Sequence, residues 1–281
     1  MSAILLWFRQ DLRLHDNPAL HAALAAARQH RAALVPVYIL DDAGEWGWSA
    51  GGASRWWLHH SLAALDDALR VRGSRLIIAR GDTETVLRGL IAETQARGLY
   101  FNRRYELSAV ARDLWIEDEF AREGMEVRTS NGALLHEPHT IANKQGRPFQ
   151  VFTPYWRYCL TLPVDPPVKL ERGAFPVPKT WPRSHSHLCE VADLKLLPSI
   201  PWDAEFGPAW TPGEAGAHKR LAHFAARAMA DYSDGRDHPA EDGTSRLSPH
   251  LHFGELSPRQ IWAEVRRMSR TSGVFPPSKG A

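Results

Sequence analysis

The sequence predicts an α/β fold: a doubly wound parallel sheet that gives way to a long connection and then to helices. Three observations carry this. Within the first 130 residues, five short apolar runs do not alternate with polar residues, as expected for parallel strands buried on both faces. Longer stretches between them carry a single apolar stripe at helical spacing. After about Asn131 both patterns stop. Such strand–helix alternation implies right-handed crossovers and helices on both faces of the sheet.

The elements follow in order. Strands are expected at Ile4–Phe8, Ala33–Ile39, Arg75–Ala79, Leu99–Asn102 and Glu126–Thr129. Asn17-Pro18 gives the first helix a cap and a first-turn proline. Ser54 is the expected cap of the second helix, with its stripe at Leu58, Leu62, Leu65 and Leu69 and its stop at Gly73. Asp82 or Thr83 caps a third helix that ends at Gly98, and a fourth runs from Leu107 to Glu123 before Gly124. The stretch 161–213 is proline-dense and aperiodic, and it reads as an interdomain connection over the surface. Helical periodicity returns from Glu214, and again at SPRQIWAEVRRMSR with Ser257 as cap. The final TSGVFPPSKGA looks unstructured. These breaks divide the chain at 1–132, 133–212 and 213–281.

Composition narrows the class. Hydrophobic residues are 44% and charged residues 23% of the 281, as in an ordinary globular protein. A net charge of +2 is not that of a nucleic-acid coat protein. Cys159 and Cys189 form no CxxC pair or disulfide framework, which fits a reducing cytosol. The run AILLWF is too short for a membrane span, and no other stretch is long enough. A monomeric cytoplasmic protein without membrane attachment is expected. Eleven tryptophans favour stacking surfaces or an aromatic ligand.

The stretch DGTSRLSPHLHFGELSPRQIW, Asp242 to Trp262, crowds hydroxyls beside two Ser-Pro helix starts. Free amides and hydroxyls at helix starts favour anions. On the residues alone, Thr244, Ser245 and Ser248 read either as a phosphate cradle or as caps of short helices. Arg236, in the turn-rich DYSDGRDHP, reads either as a phosphate contact or as a solvated surface arginine. His185, His187 and Cys189 do not have the pairwise spacing of zinc sites, so no metal site is assigned. GWSAGGASRWW, Gly47 to Trp57, lacks both phosphate-loop signatures and reads as a loop, flexible or ligand-covering. Spacing singles out no catalytic triad or carboxylate pair.

Four blocks carry a resemblance: LLWFRQDLRLHDNPAL (Leu5–Leu20), LYFNRRYE (Leu99–Glu106), QVFTPYWR (Gln150–Arg157) and the run from Asp231 to Trp262. In order and spacing they resemble the DNA photolyase/cryptochrome family, over nearly the whole chain. The resemblance implies a Rossmann-like antenna domain, a linker and the beginning of an all-α FAD-binding domain. It implies that Tyr232, Thr244, Ser245, Arg246, Leu247 and Ser248 hold the FAD diphosphate. It implies that Glu106, with Arg9 as a further candidate, lies near an antenna pigment, methenyltetrahydrofolate or 8-hydroxy-deazaflavin. Arg9 is also placed there by its position at a strand end, where open α/β sheets bind ligands. Arg236 matches an arginine that contacts UV-damaged DNA. The implied activity is that of a deoxyribodipyrimidine photo-lyase of the bacterial branch, in which light-driven electron transfer from reduced FAD splits cyclobutane pyrimidine dimers. The alternatives are a cryptochrome-type photoreceptor and a non-enzymatic pigment-binding remnant. Family members continue through further helices that complete the flavin cage. The chain as given is therefore expected to be truncated, inactive or incomplete, and the apolar face from Leu221 to Met229 is expected to lack partners.

Overall fold

The structure, a computed structural model, describes residues 2–41, 50–183 and 187–272. The residues of the glycine loop up to 49, His185 and the tail from 273 lie outside the described residues. β1 (Ala3–Phe8), β2 (Ala33–Leu40), β3 (Ile77–Arg80), β4 (Gly98–Asn102) and β5 (Glu126–Ser130) are mutually parallel. A two-residue β6 (Leu188–Cys189) joins antiparallel to β3, so the sheet order is β5-β4-β1-β2-β3-β6. The five expected strands form the doubly wound parallel sheet, and the antiparallel edge strand is an addition to it. The antiparallel edge comes from the proline-dense connection, where two paired residues leave no periodic signal.

Helices α1 (Pro18–Gln29) and α2 (Gly52–Val71) cover one face of the sheet. Leu20, Leu24, Leu62 and Leu69 pack there with Ile4, Leu6, Phe8 and Leu34. Helices α3 (Thr83–Thr94) and α4 (Leu107–Arg122) cover the other. Val86, Leu90, Ile116 and Phe120 meet Leu5, Trp7, Val35 and Val37. The two alternating side-chain sets of each strand therefore feed two cores, and this is why the strands do not alternate with polar residues.

The cap assignments divide. Asn17 and Asp82 accept from the amides of Leu20 and Thr85, as expected. Ser54 is not a cap, because α2 begins one turn earlier after Gly51. Gly98 does not end α3. Gln95 does so in a left-handed conformation, φ 50°, and Gly98 opens β4. β3 begins two residues later than expected, at Ile77.

The connection is more than a surface strap. It forms α5 (Phe152–Cys159) and α6 (Phe206–Ala209), and it buries Phe175, Leu194 and Leu196 in the core of the first face. Helix α7 (Glu214–Arg227), the short turns α8 (Tyr232–Gly235) and α9 (Ser248–His252), and α10 (Pro258–Ser272) follow. Ser257 and Gln260 form a reciprocal capping box at the start of α10. The face from Leu221 to Met229 does have partners: Leu221 packs with Leu247 and Leu256, and Phe224 and Met229 with Val265 and Met268. The expectation of a bare face is corrected, since α10 lies close enough to cover it.

Polar groups lock these helices to the carboxyl end of β1. Arg13, 1% exposed, donates to the carbonyls of Asp16, Gly132 and Gly254. Asp16 accepts from Val168 N, Ser257 Oγ and Arg259 Nε. Gly254, φ 65°, lies so close to Gln10 O that a Cβ would stand 2.0 Å from it. Glu255, fully buried, accepts from Trp57 Nε1 and Gly213 N and bonds His250 Nδ1.

At the head of α7, Glu214 accepts from the amides of Leu14 and His15 and bonds the His15 ring. Burial opposes its ionisation, but hydrogen bonds from His15, His218 and Leu14 N–H outweigh this and pull the carboxyl from 4.5 to about 2. A depressed carboxylate stabilises the fold above its ordinary pKa and loses that effect as pH falls from 4.5 toward 2. The contribution is about 3 kcal/mol. His15 is shifted oppositely, chiefly by the hydrogen bond to Glu214, so its smaller share is lost as pH rises above the ordinary histidine range. Urea unfolding of Glu214→Gln should show its largest deficit against the parent at pH 7 and a much smaller one at pH 3. An equal deficit at both values would contradict this assignment.

Candidate functional site

Two places in the fold gather candidate residues. The first is the loop from Asp242 to Ser248. Arg220, on α7, organises it by donating to Ser245 O and Thr244 O and by a two-pronged contact with Asp242. Arg220 holds the Asp242 carboxyl down to about 2, with Arg246 and His223 adding to the effect. Among the described residues, the amides of Thr244, Ser245 and Arg246 donate to no backbone carbonyl. Arg246 has φ 50°, the left-handed geometry in which successive amides form anion-binding concavities. The chain thus spends the carbonyls of Thr244 and Ser245 on an arginine and commits none of these amides to a backbone partner.

Gly243 brings this loop against α8. A Cβ there would stand 2.3 Å from Gly235 O. The contact sets the Tyr232 turn beside the Thr244–Ser248 loop. The Tyr232 ring meets Phe224 edge-on at 5.6 Å. Thr244, Arg246 and Ser248 are exposed and Ser245 is half-buried, whereas Leu247 is buried among Ala217, Leu221 and Leu256. Leu247 anchors the loop with its side chain. The donor set, made of hydroxyls, amides and a strained turn, fits a diphosphate. Arg236 ends α8 with an exposed guanidinium 3.8 Å from Asp237.

The second place is a cavity of about 440 Å³ at the carboxyl ends of β1, β2 and β3, roofed by His252 and Phe253 beside α9. The strand order reverses between β1 and β4, and open α/β sheets bind ligands at such points. Arg9 lines the cavity but is held in place: it pairs with Asp113 at 2.6 Å, donates to Asn102 O, and lies between the rings of Trp7 and Phe101. Glu106 is not in the lining. It sits at the N-cap position of α4 without a side-chain capping bond and binds Arg104, which is in the lining. Burial would raise the Glu106 carboxyl, but Arg104 outweighs it and the carboxyl is lowered.

A profile of the DNA photolyase family matches residues 4–171. The chain belongs to the DNA photolyase family. A deoxyribodipyrimidine photo-lyase of Agrobacterium fabrum is 42% identical over 273 residues, covering 95% of this chain and 54% of that protein. A bacterial class III photolyase of Agrobacterium tumefaciens, solved by crystallography, superposes with a TM-score of 0.87 at 41% identity over 96% of this chain and 54% of that one. Cryptochrome-1 of Arabidopsis thaliana is 36% identical, over 93% of this chain and 37% of its own length. The chain therefore spans about half the length of these photolyase relatives.

Within this photolyase fold the contact of Gly243 with Gly235 sets α8, with Tyr232 and Arg236, beside the loop of Thr244, Ser245, Arg246 and Ser248, and Glu106 lies next to the cavity through Arg104. Sequence reasoning missed Arg220, Asp242 and Gly243, the residues that shape the loop. It also missed Arg55 and Arg80 at the cavity. Their signal is long-range contact, which periodicity does not carry. Among the described residues no group of three potential metal ligands occurs, and no helix is long and apolar enough to cross a membrane.

Replacing Gly243 with Ala should push the loop away from α8, because backbone carbonyl rather than a pliable side chain blocks the new methyl. We expect Tm to fall by roughly 2–8 °C, from an overpacking cost of about 1–3 kcal/mol. Gly207→Ala, where the methyl meets open space, serves as the control. Equal melting of the two variants would refute the contact.

Proposed function

We propose that this chain serves light-driven DNA repair as a deoxyribodipyrimidine photo-lyase, with FAD at the Thr244–Ser248 loop. The observation that carries the reading is the geometry of that loop, held by Arg220 and pressed to Gly235 of α8 across Gly243, in a chain 42% identical to a deoxyribodipyrimidine photo-lyase. Tyr232, Thr244, Ser245 and Ser248 would bind the diphosphate, Arg246 would supply the left-handed turn, and Leu247 would fix the loop to the helices. When bound in its reduced form, FAD supplies on blue-light excitation the electron that splits a cyclobutane pyrimidine dimer and is then returned. Arg236 presents an exposed cation to the phosphates of the damaged strand, whose lesion leaves the duplex more readily because its pairing is already weakened. The α/β part, residues 1–132, would hold the antenna pigment, a folate or a deazaflavin, at the cavity beyond β1. The 133–212 connection leads to the helical FAD-binding part, which begins at 213. A second reading, a cryptochrome-type photoreceptor without repair, is favoured by the 36% identity to cryptochrome-1 of Arabidopsis thaliana.

The test joins this chain to the remaining half of its Agrobacterium fabrum relative and assays flavin absorbance and light-dependent loss of thymine dimers from an oligonucleotide. Both are expected. A folded fusion that retains flavin but splits no dimer supports the photoreceptor reading, and a folded fusion without flavin contradicts the cofactor assignment. In the same fusion, Arg236→Ala should weaken binding of damaged DNA by about 1–3 kcal/mol and leave flavin content unchanged. A parallel loss of flavin would assign Arg236 to the cofactor instead.

A further inference from the structure

One stretch of the connection stands apart in both composition and exposure. Residues 138–164 hold no aspartate or glutamate, where the chain's 32 acids in 281 residues would place about three. The same stretch carries Lys144, Arg147 and Arg157, all exposed and none in an ion pair among the described residues. Its helix α5 sets Phe152, Tyr155, Trp156 and Tyr158 on the surface, with Phe152 71% and Trp156 42% exposed. The rings of Phe152 and Trp156, one turn apart, lie parallel within 6° with their centroids 6.4 Å apart. Large apolar side chains grouped on a surface mark an interaction site.

Beside α5 a cavity of about 520 Å³ opens between this stretch and the head of α10, lined by Leu134, Phe149, Tyr155, Trp156 and Trp262 among others. Its volume is that of a small-ligand pocket. Trp262 has its Nε1 buried without a hydrogen-bond partner, and an unmet buried donor is costly until an acceptor reaches it. The guanidinium of Arg266, exposed on the next turn of α10, lies 5.9 Å from the centre of the Trp262 ring.

Rings and unpaired cations together select the occupant. An apolar protein face would match the rings but leave the cations desolvated and without counter-charges. A polyanion whose units each carry a flat π-face meets both, because bases stack on aromatic side chains while the backbone follows positive charge. In a duplex the base faces are already stacked on one another, so the match is to a single strand. We infer that α5 and the adjoining cavity bind single-stranded nucleic acid. Bases stack on Phe152 and Trp156, phosphates meet Lys144, Arg147 and Arg157, and one splayed base enters the cavity with a carbonyl oxygen accepting from Trp262 Nε1. This surface belongs to other elements than the α8 turn that holds Arg236, and the inference does not depend on the flavin reading.

The probes are fluorescein-labelled oligothymidylate and oligouridylate of about a dozen residues, a length within the range of single-strand sites, titrated into the purified chain by fluorescence anisotropy. Single strands should bind, and a duplex of the same length at least about tenfold more weakly. Phe152→Leu keeps an apolar side chain and removes the ring. It should weaken the single strand by about five- to a hundredfold, the range for one stacked base. Arg157→Gln should lower the slope of log K against log salt by about 0.7, the share of one phosphate on a single strand. Melting curves confirm the fold of each variant. Preference for one strand over the other assigns the site to DNA or to RNA and keeps the inference. Failure of both strands to bind overturns it, as does equal binding of duplex and single strand, an unchanged affinity in Phe152→Leu or an unchanged slope in Arg157→Gln. Loss of binding in Arg236→Ala with full retention in Phe152→Leu would move the strand to the α8 segment and overturn it as well. So would loss of binding when the chain is joined to the remaining half of its Agrobacterium fabrum relative, which would make this face a seat for protein.

Discussion

The rest of the structure depends on a buried pair of opposite charges three residues apart, Arg13 and Asp16. Both are 1% exposed. Burying either alone would carry a heavy desolvation cost, and burial becomes tolerable only when the remaining donors and acceptors are also met. Here they are met by distant parts of the chain. Arg13 takes carbonyls from Gly132, after β5, and from Gly254, after α9. The Asp16 carboxylate takes Val168 from the connection and Ser257 and Arg259 from the head of α10. The short stretch after β1 therefore fixes where the connection and the helical segment lie. Asp16 accepts a left-handed backbone, φ 49°, to reach them.

Both candidate sites follow from this seating. Phe253 and His252 roof the cavity because Gly254 is pressed on Gln10 and Asp11, with Leu12 N bonded to Phe253 O. Glu255 continues the lock by receiving Trp57 of α2 and Gly213 before α7. Helix α7 then carries Arg220 to the Thr244–Ser248 loop. The sequence of causes runs from a polar junction, to the position of two short helices, to a loop that presents amides and a cavity that presents guanidiniums. Membership of the photolyase family agrees with an arrangement in which one end of the chain holds a sheet and the other a set of helices.

Much of this was legible in the residues, and the failures have physical reasons. The strands were readable because burial on both faces makes continuous apolar runs. Asn17, Asp82 and Ser257 were readable as caps because their bonds are local. Ser54 misled because glycines at 51 and 52 let α2 start earlier with no side-chain cap. Gly98 misled because the turn before it was closed by Gln95. β6 and the buried Phe175 and Leu194 escaped notice in proline-dense sequence, where tertiary pairing replaces periodicity. Thr244, Ser245 and Ser248 stood out by composition. Arg220, more than twenty residues away, did not, because only the fold places it there.

The Arg13–Asp16 junction makes the helical segment and the sheet one cooperative body. Native-state hydrogen exchange tests it most directly, by comparing amides in α7 and α10 with those in β1 and β4 as denaturant rises. The most protected amides of both regions should converge on a single opening free energy in the parent, and Asp16→Asn should separate them, with α7 and α10 opening first. Independent opening of α7 and α10 in the parent, well below the free energy of the sheet, would contradict it.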